Sequence, residues 1–401
     1  MNEKELFIGI WQVPPATEEN YKQLADCGMT AVFLNGDYSE GIEAQTKAVA
    51  FCEKYGLDVV LEGRNKIEDC PILNHPLVDS EAVIAFNIFD EPLHEHEQPL
   101  RELAGKVKSL YPHKQIYINL NPSYAPNDAI MNAYPKYVDI FAKYIYDFEG
   151  AGGWLSIDYY PLHRTRDYEF FLHEGWFGDM ETTAVTAKKY GLKPHFFIQS
   201  MAYGGDQNFW NDRTPTEADL RLQIYSYLAH GAKGFTHFCY QTPTTSEFYE
   251  RQTGLFDKGA PTERWYFAQK IHGEIKAFES DLLGLSWEYC RRVDSTVTEP
   301  EGLFNQSNGC AFENFTTIEK VETNARCLVG AFKGEDGKEG FMFVNVEDTS
   351  KDKSVAVKLT FKKPTTVKIY KDGKPSVKTF DRISEFTLGV GEGIFMIEET
   401  L

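Results

Sequence analysis

Eight short apolar runs, separated by longer amphipathic stretches, constrain this sequence more than any other feature. They are Phe7–Gln12, Ala31–Asp37, Asp58–Glu62, Val83–Glu91, Gln115–Asn121, Trp154–Pro161, His195–Ser200 and Gly234–Tyr240. Rich in Ile, Val and Phe and barely alternating, they read as parallel strands buried on both faces. The stretches between them, such as Glu18–Cys27, Glu43–Tyr55 and Thr216–His230, carry helical periodicity. The last of these is introduced by Thr214-Pro215-Thr216-Glu217, which predicts Thr214 as N-cap, Pro215 at the first helical position, Glu217 closing a capping box, and an end at Gly231. The fifth helix, over about 129–146, has the least regular pattern. Eight repeats of strand then helix, with no strand-only stretch among them, predict a closed (β/α)8 TIM barrel instead of an open sheet.

After Gly284 the period changes. Short β-branched or aromatic runs (Gly340–Asn345, Ser354–Phe361, Thr366–Tyr370, Phe386–Leu388 and Gly393–Ile397) are separated by turns such as Lys371-Asp372-Gly373-Lys374. This predicts a smaller all-β sandwich, with the barrel over residues 1–284 and the sandwich over 285–401. A chain of 401 residues is long enough for two cores.

The formal net charge is −19, of which residues 286–401 carry only −3. So acidic a barrel repels nucleic acid and anionic membranes, and no apolar stretch approaches the ~20 residues of a membrane span. The N-terminal tract Met1-Asn2-Glu3-Lys4-Glu5 is too charged for the core of a signal peptide, and the seven cysteines are scattered with no Cys-x-x-Cys. A reducing cytoplasm is the expected location, or export if a leader has been removed.

A barrel of this type keeps its chemistry at the C-terminal ends of its strands. The fourth run ends Asn87-Ile88-Phe89-Asp90-Glu91-Pro92, a carboxylate pair stopped by a proline. Strict alternation would put Asn87, Phe89 and Glu91 on one face and Asp90 on the other. Glu91, the longer side chain, is the expected catalytic acid/base. Other strand ends supply Gln12, Asp37, Glu62, Asn119, Asn121, Asp158, Gln199 and Gln241, edged by Trp11, Tyr38, Tyr159, Tyr160, Tyr203, Trp210 and Tyr240. Amides and carboxylates bind hydroxyls, and aromatic faces receive the apolar faces of pyranose rings. The mouth therefore suits a carbohydrate. Within it, Trp11, Asp37, Glu62, Asp90, Asn121, Tyr160, Gln199, Tyr203, Trp210 and Tyr240 are the expected substrate-binding residues.

The Asp-Glu-Pro ending of strand four resembles the (β/α)8 glycoside hydrolases of the large retaining clan. Leu155–Pro161, Phe197–Ser200 and Leu228–Phe238 are similar to the later strands of bacterial glycosidases of this kind, and Phe386–Phe395 resembles the last hairpin of the β-sandwich they carry. The resemblance implies cleavage of O-glycosidic bonds in a neutral glycan or glycoside, with Glu91 as general acid/base and no cofactor. One position departs from the family. The clan places its nucleophilic Glu at the end of strand seven, where this chain has Gln199, and an amide cannot form the glycosyl ester. The second carboxylate is then expected from Asp158, ahead of Glu62, with inversion favoured over retention. The alternative is a sugar-binding protein on the same scaffold that does not cleave.

Other signals lead elsewhere or nowhere. His94-Glu95-His96 lacks a third ligand at a recognisable spacing, so it reads as a surface loop and no metal site is expected. Gly150–Gly153 precedes a strand and is no phosphate cradle, and there is no Gly-x-Ser-x-Gly elbow.

Overall fold

The computed structural model describes residues 5–34, 41–165, 167, 169–204, 210–244, 253–296 and 310–399. They fall into two compact units: Met1–Glu169, His173–Thr214 and Ala232–Gln269 form the first, and Phe170–Leu172, Pro215–Gly231 and Lys270–Leu401 the second. Among the described residues no helix is long and apolar enough to cross a membrane.

The first unit holds the barrel. Strands Phe7–Ile10, Ala31–Leu34, Asp58–Glu62, Val83–Asp90, Gln115–Leu120, Trp154–Ile157, Lys193–Gln199 and Gly234–Phe238 pair in parallel in chain order, and the eighth closes on the first. Phe7, Ala31, Phe33, Val60, Ala85, Tyr117 and Trp154 fill its interior. His195 joins them, its ring 5.1 Å from Phe7 and 5.5 Å from Tyr117 and Trp154. Burial pushes its imidazole down to about 3, so it is a neutral core residue with Nε2 2.8 Å from Thr236 Oγ1.

The helical layer is less regular than the repeat predicts. Between strands three and four the chain makes only the 3₁₀ turn Pro71–Asn74, where Pro71 and Pro76 leave four residues between them. The fifth helix runs Tyr134–Glu149, with Pro135 in its first turn and the short turn Asp128–Met131 before it.

Strand four carries the feature that matters most for the site. Its register against strand five slips between Asn87 and Phe89, so that Phe89 lies opposite Ile118 and Asp90 opposite Asn119. This bulge adds one residue and reverses the alternation beyond it. Phe89 packs on the His96 ring at 4.7 Å, while Asp90 accepts a hydrogen bond from Asn119. The expected grouping of Asn87, Phe89 and Glu91 on one face is thereby corrected: Asp90 takes the inner face after Asn87.

In the second unit, helix Glu217–Ala229 is capped by Thr216, not Thr214. The Thr216 hydroxyl accepts from Asp219 N at 3.2 Å, and the Asp219 carboxylate in turn accepts from Thr216 N at 2.9 Å. The box therefore sits two residues further along than the sequence suggests, because Asp219 stands at the third helical position from Thr216. Two antiparallel sheets follow. One is ordered Leu285–Val293, Cys327–Gly334, Glu339–Asn345, Gly393–Glu398, Thr365–Lys371, Lys374–Phe380, and the other Cys310–Ala311, Ile318–Thr323, Val355–Phe361, Ile383–Leu388. Val329, Phe341, Phe343 and Met396 from the first sheet share a core with Val321, Val357, Leu359 and Leu388 from the second. This is the predicted sandwich. Asp372 and Gly373, with φ of 49° and 69°, make the tight hairpin expected at Lys371–Lys374. The last two strands belong to different sheets, so residues 389–392 form a crossing between sheets and not the hairpin that the resemblance implies.

Helix Glu217–Ala229 lies very close to the first of these sheets. The Trp287 indole donates to Ala229 O at 3.0 Å, and a Cβ added to Gly330 would stand 2.2 Å from the same oxygen. A Cβ on Gly391, which also has φ +64°, would stand 2.3 Å from Ala218 O. Gly330→Ala should therefore destabilise the second unit by about 3 kcal/mol, the upper end of overpacking effects. Chemical denaturation followed by Trp fluorescence measures it, and a loss below about 0.5 kcal/mol would contradict so close a packing.

Candidate active site

The C-terminal ends of strands three to six bring together Glu62, Asn87, Asp90, Glu91, Asn119 and Asp158. Glu62 is buried, and both its oxygens accept from Asn87 Nδ2, at 3.2 and 2.9 Å. Asp90 stands at the end of a directed chain. Tyr117 OH donates to Ser156 Oγ at 2.5 Å, Ser156 to Asn119 Oδ1 at 2.8 Å, and Asn119 Nδ2 to Asp90 Oδ1 at 3.1 Å. With every donor pointing towards Asp90, the orientation of the Asn119 amide is set from inside the barrel.

Glu91 follows on a strained turn. It is exposed, has φ +54°, and its N–H continues the ladder to Asn119 O at 2.8 Å. A left-handed non-glycine residue directly before a proline is disfavoured locally and is held by its surroundings. Pro92 O accepts from Tyr137 OH at 2.8 Å and from Asn121 Nδ2 at 3.3 Å. The Asn65 side chain grips Asp90 from the other side, accepting from Asp90 N at 2.7 Å and donating to Asp90 O at 3.1 Å.

Asp158, just past strand six, is buried, with Tyr160 OH 3.3 Å from Oδ2. Burial raises its carboxyl well above the usual carboxylate range, and the negative charges of Glu91 and Asp90 raise it further; the Asn119 amide opposes them. Asp158 therefore holds its proton far more firmly than a surface aspartate.

The aromatic residues divide into two sets. Trp11 is half-buried, 5.4 Å from Phe33 and 5.7 Å from Phe197. Tyr160 lies 5.0 Å from Phe238 and 5.8 Å from Tyr203, and together these form one wall beside Asp158. Tyr240 stands apart. It is fully buried, stacked on Phe256 at 5.6 Å, and accepts from Trp265 Nε1 at 3.2 Å. Gln199 is also fully buried: its Oε1 accepts from Leu162 N at 2.7 Å and its Nε2 donates to Leu162 O at 2.9 Å. Asp37 and Tyr38 lie outside the described residues, as does the side chain of Trp210.

Several contributors were not among the expected residues. His163 and Asp212 lie opposite each other on the paired strands Leu162–Thr165 and Trp210–Asp212, both buried, 3.0 Å apart. Burial pushes the Asp212 carboxyl up to about 6 while His163 pulls it down. Tyr117 and Ser156 could have been found, since each shares the inner face with a named residue two positions on. Asn65 could not, because its role rests on a turn. His96 accepts from Leu93 N at 3.0 Å, and among the described residues no His, Cys, Asp and Glu group could hold a metal ion.

No protein family's sequence model matches the chain, and no curated protein does. Solved structures do. The chain is similar over 100% of its length to 97% of a GH27 β-L-arabinopyranosidase from Geobacillus stearothermophilus, with TM-score 0.55 and 10% identity. A variant of that enzyme, solved in complex with arabinose, matches with TM-score 0.54 and 10% identity. A β-galactosidase from Bacillus circulans sp. alkalophilus matches over 99% of both chains, with TM-score 0.57 and 8% identity. The chain thus shares its overall fold with these solved glycoside hydrolases.

A buried acid outside this constellation has a consequence that needs no substrate. On helix Gly175–Tyr190, Asp179 accepts from Ser123 N at 2.8 Å, and burial pushes its carboxyl up to about 7. A raised folded pKa means that the folded state binds more protons, so the stability is present below the unfolded value of about 3.9 and is lost as pH rises towards 7. Asp179→Asn keeps an acceptor for Ser123 and removes the titration. Its stability relative to wild type should therefore improve between pH 4 and 7, by up to about 4 kcal/mol. Urea melts across that range check this, and a pH-independent difference would contradict it.

Proposed function

We propose that the protein is a glycoside hydrolase acting on a neutral glycan or glycoside, with Asp158 as proton donor and Glu91 as its ionised partner. The observation that carries this reading is the desolvated Asp158 carboxyl facing the charges of Glu91 and Asp90 at the barrel mouth. Neighbouring carboxyls with unlike environments separate into an acid and a base, and the buried one keeps the proton. Exposure at the strand-four end suits Glu91 to the ionised role. This assigns the two residues the reverse of the roles that the strand-four motif implies. The wall of Trp11, Tyr160, Tyr203 and Phe238 suits the face of a pyranose, and Glu62, Asn87 and Asp90 suit its hydroxyls. The full-length structural neighbours are named as a β-L-arabinopyranosidase and a β-galactosidase, so pyranosides of these two sugars are the first substrates to try.

In this mechanism Asp158 protonates the leaving oxygen, and Glu91 either attacks the anomeric carbon or activates a water, according to the separation between them. The sugar-binding alternative drew its support from Gln199 alone. That amide is engaged with Leu162, which weakens the argument from its identity.

Asp158→Asn should lower kcat/KM on phenyl glycosides by about 10²–10⁴-fold, with a much smaller loss on dinitrophenyl glycosides, whose leaving group needs no proton. Glu91→Gln should impair both substrates. Undiminished turnover of phenyl glycosides by Asp158→Asn would remove it from the mechanism. Binding of galactose or arabinose by the wild type, seen as a thermal shift without any turnover, would favour the sugar-binding reading.

A further inference from the structure

We infer that Gln199 and Asn65 are positioning residues, two side-chain amides that clasp the loops bearing the reacting carboxylates. This rests on the function proposed above. Each amide uses its oxygen and its nitrogen on the N–H and C=O of a single residue: Gln199 on Leu162, at 2.7 and 2.9 Å, and Asn65 on Asp90, at 2.7 and 3.1 Å. A paired clasp of this kind fixes both the position and the rotation of a peptide, as one rung of a β-ladder does. One gripped residue immediately precedes Glu91, and the other lies four residues beyond Asp158.

The Gln199 clasp belongs to a wider fastening. Arg213 N also donates to Leu162 O at 3.1 Å, Asp212 N donates to Tyr203 O at 3.1 Å, and His163 faces Asp212 at 3.0 Å. His173 N donates to Pro161 O at 2.8 Å. Segment 158–163 is therefore tied at Pro161, Leu162 and His163. The amide at the end of strand seven thus has a role of its own: it holds the proton donor's loop in place of supplying a nucleophile. Asn65, with φ +52°, does the same for the strand-four turn. A displacement of about 1 Å at such a carboxylate is enough for a loss of about 10²-fold.

The two clasps act on different partners, so their loss should read out differently. Gln199→Met removes both bonds to Leu162 at similar length. It should lower kcat by about 10–10²-fold on phenyl β-galactoside or β-L-arabinopyranoside, with little effect on the dinitrophenyl analogues. Asn65→Asp keeps the acceptor, tolerates the left-handed backbone and loses the donor. It should lower kcat on both substrates alike. Should Gln199→Met fail to fold, Gln199→Leu removes the same two bonds without placing a charge in this buried position.

Two readouts are independent of turnover. Hydrogen exchange of the Leu162 amide should quicken at least tenfold in the Gln199 variant, and the Asp158 carboxyl, followed by carbon NMR, should titrate nearer the ordinary range. An equal loss on both leaving groups appearing in KM would mean that Gln199 meets the sugar and would overturn the inference. So would unchanged Leu162 exchange. If the wild type hydrolyses none of these glycosides, the proposed function fails, while the exchange and titration readouts still decide whether the clasp exists and holds Asp158.

Discussion

A carboxyl group removed from water must either keep its proton or be surrounded by donors, and the barrel mouth is arranged around that constraint. Closing eight parallel strands turns their C-terminal ends towards one small area. Four acidic residues, Glu62, Asp90, Glu91 and Asp158, arrive there from three strand ends. They are accommodated differently. Glu62 receives the Asn87 amide and Asp90 receives Asn119, while Glu91 stays exposed and Asp158 is buried, its carboxyl raised above the usual range by that burial.

The bulge in strand four is what distributes them so. Without the slip between Asn87 and Phe89, Asp90 would face the helices and Phe89 the mouth. With it, Asp90 meets Asn119, and Glu91 is lifted onto a left-handed turn that Asn65, Asn121 and Tyr137 hold in place. Local strain of about 1–3 kcal/mol persists only where the neighbours over-determine it. Here they supply hydrogen bonds from three segments of the chain. Polar residues at the mouth thus hold one another in register.

The second unit obeys a different constraint, close approach. Helix Glu217–Ala229 lies so near the larger sheet and the crossing 389–392 that glycine is needed at Gly330 and Gly391. Buried Arg221 links Glu217 and Glu274 at 2.9 and 2.8 Å, and Tyr370 OH donates to Asp281 at 2.6 Å.

Much of this was legible from the amino acids alone. Eight unalternated runs and the change of period after Gly284 dictate a parallel barrel followed by an antiparallel sandwich, because side-chain periodicity reports which faces are buried. A carboxylate at a strand end, as at Glu91 and Asp158, follows from the same count. What tertiary structure alone decided is finer and has a common cause. A bulge is a relation between two strands, so nothing within Asn87–Glu91 announces which carboxylate turns inward. The raised proton affinity of Asp158 comes from desolvation and from charges that strand four contributes. Gln199 stands where a nucleophile was expected, and its work is visible only once Leu162 lies across from it. Thr216 takes the cap from Thr214 because Asp219 answers it three residues later, a choice between two local solutions that packing settles. Periodicity is a property of the chain, whereas register, proton affinity and clasping are properties of neighbours that the fold brings together.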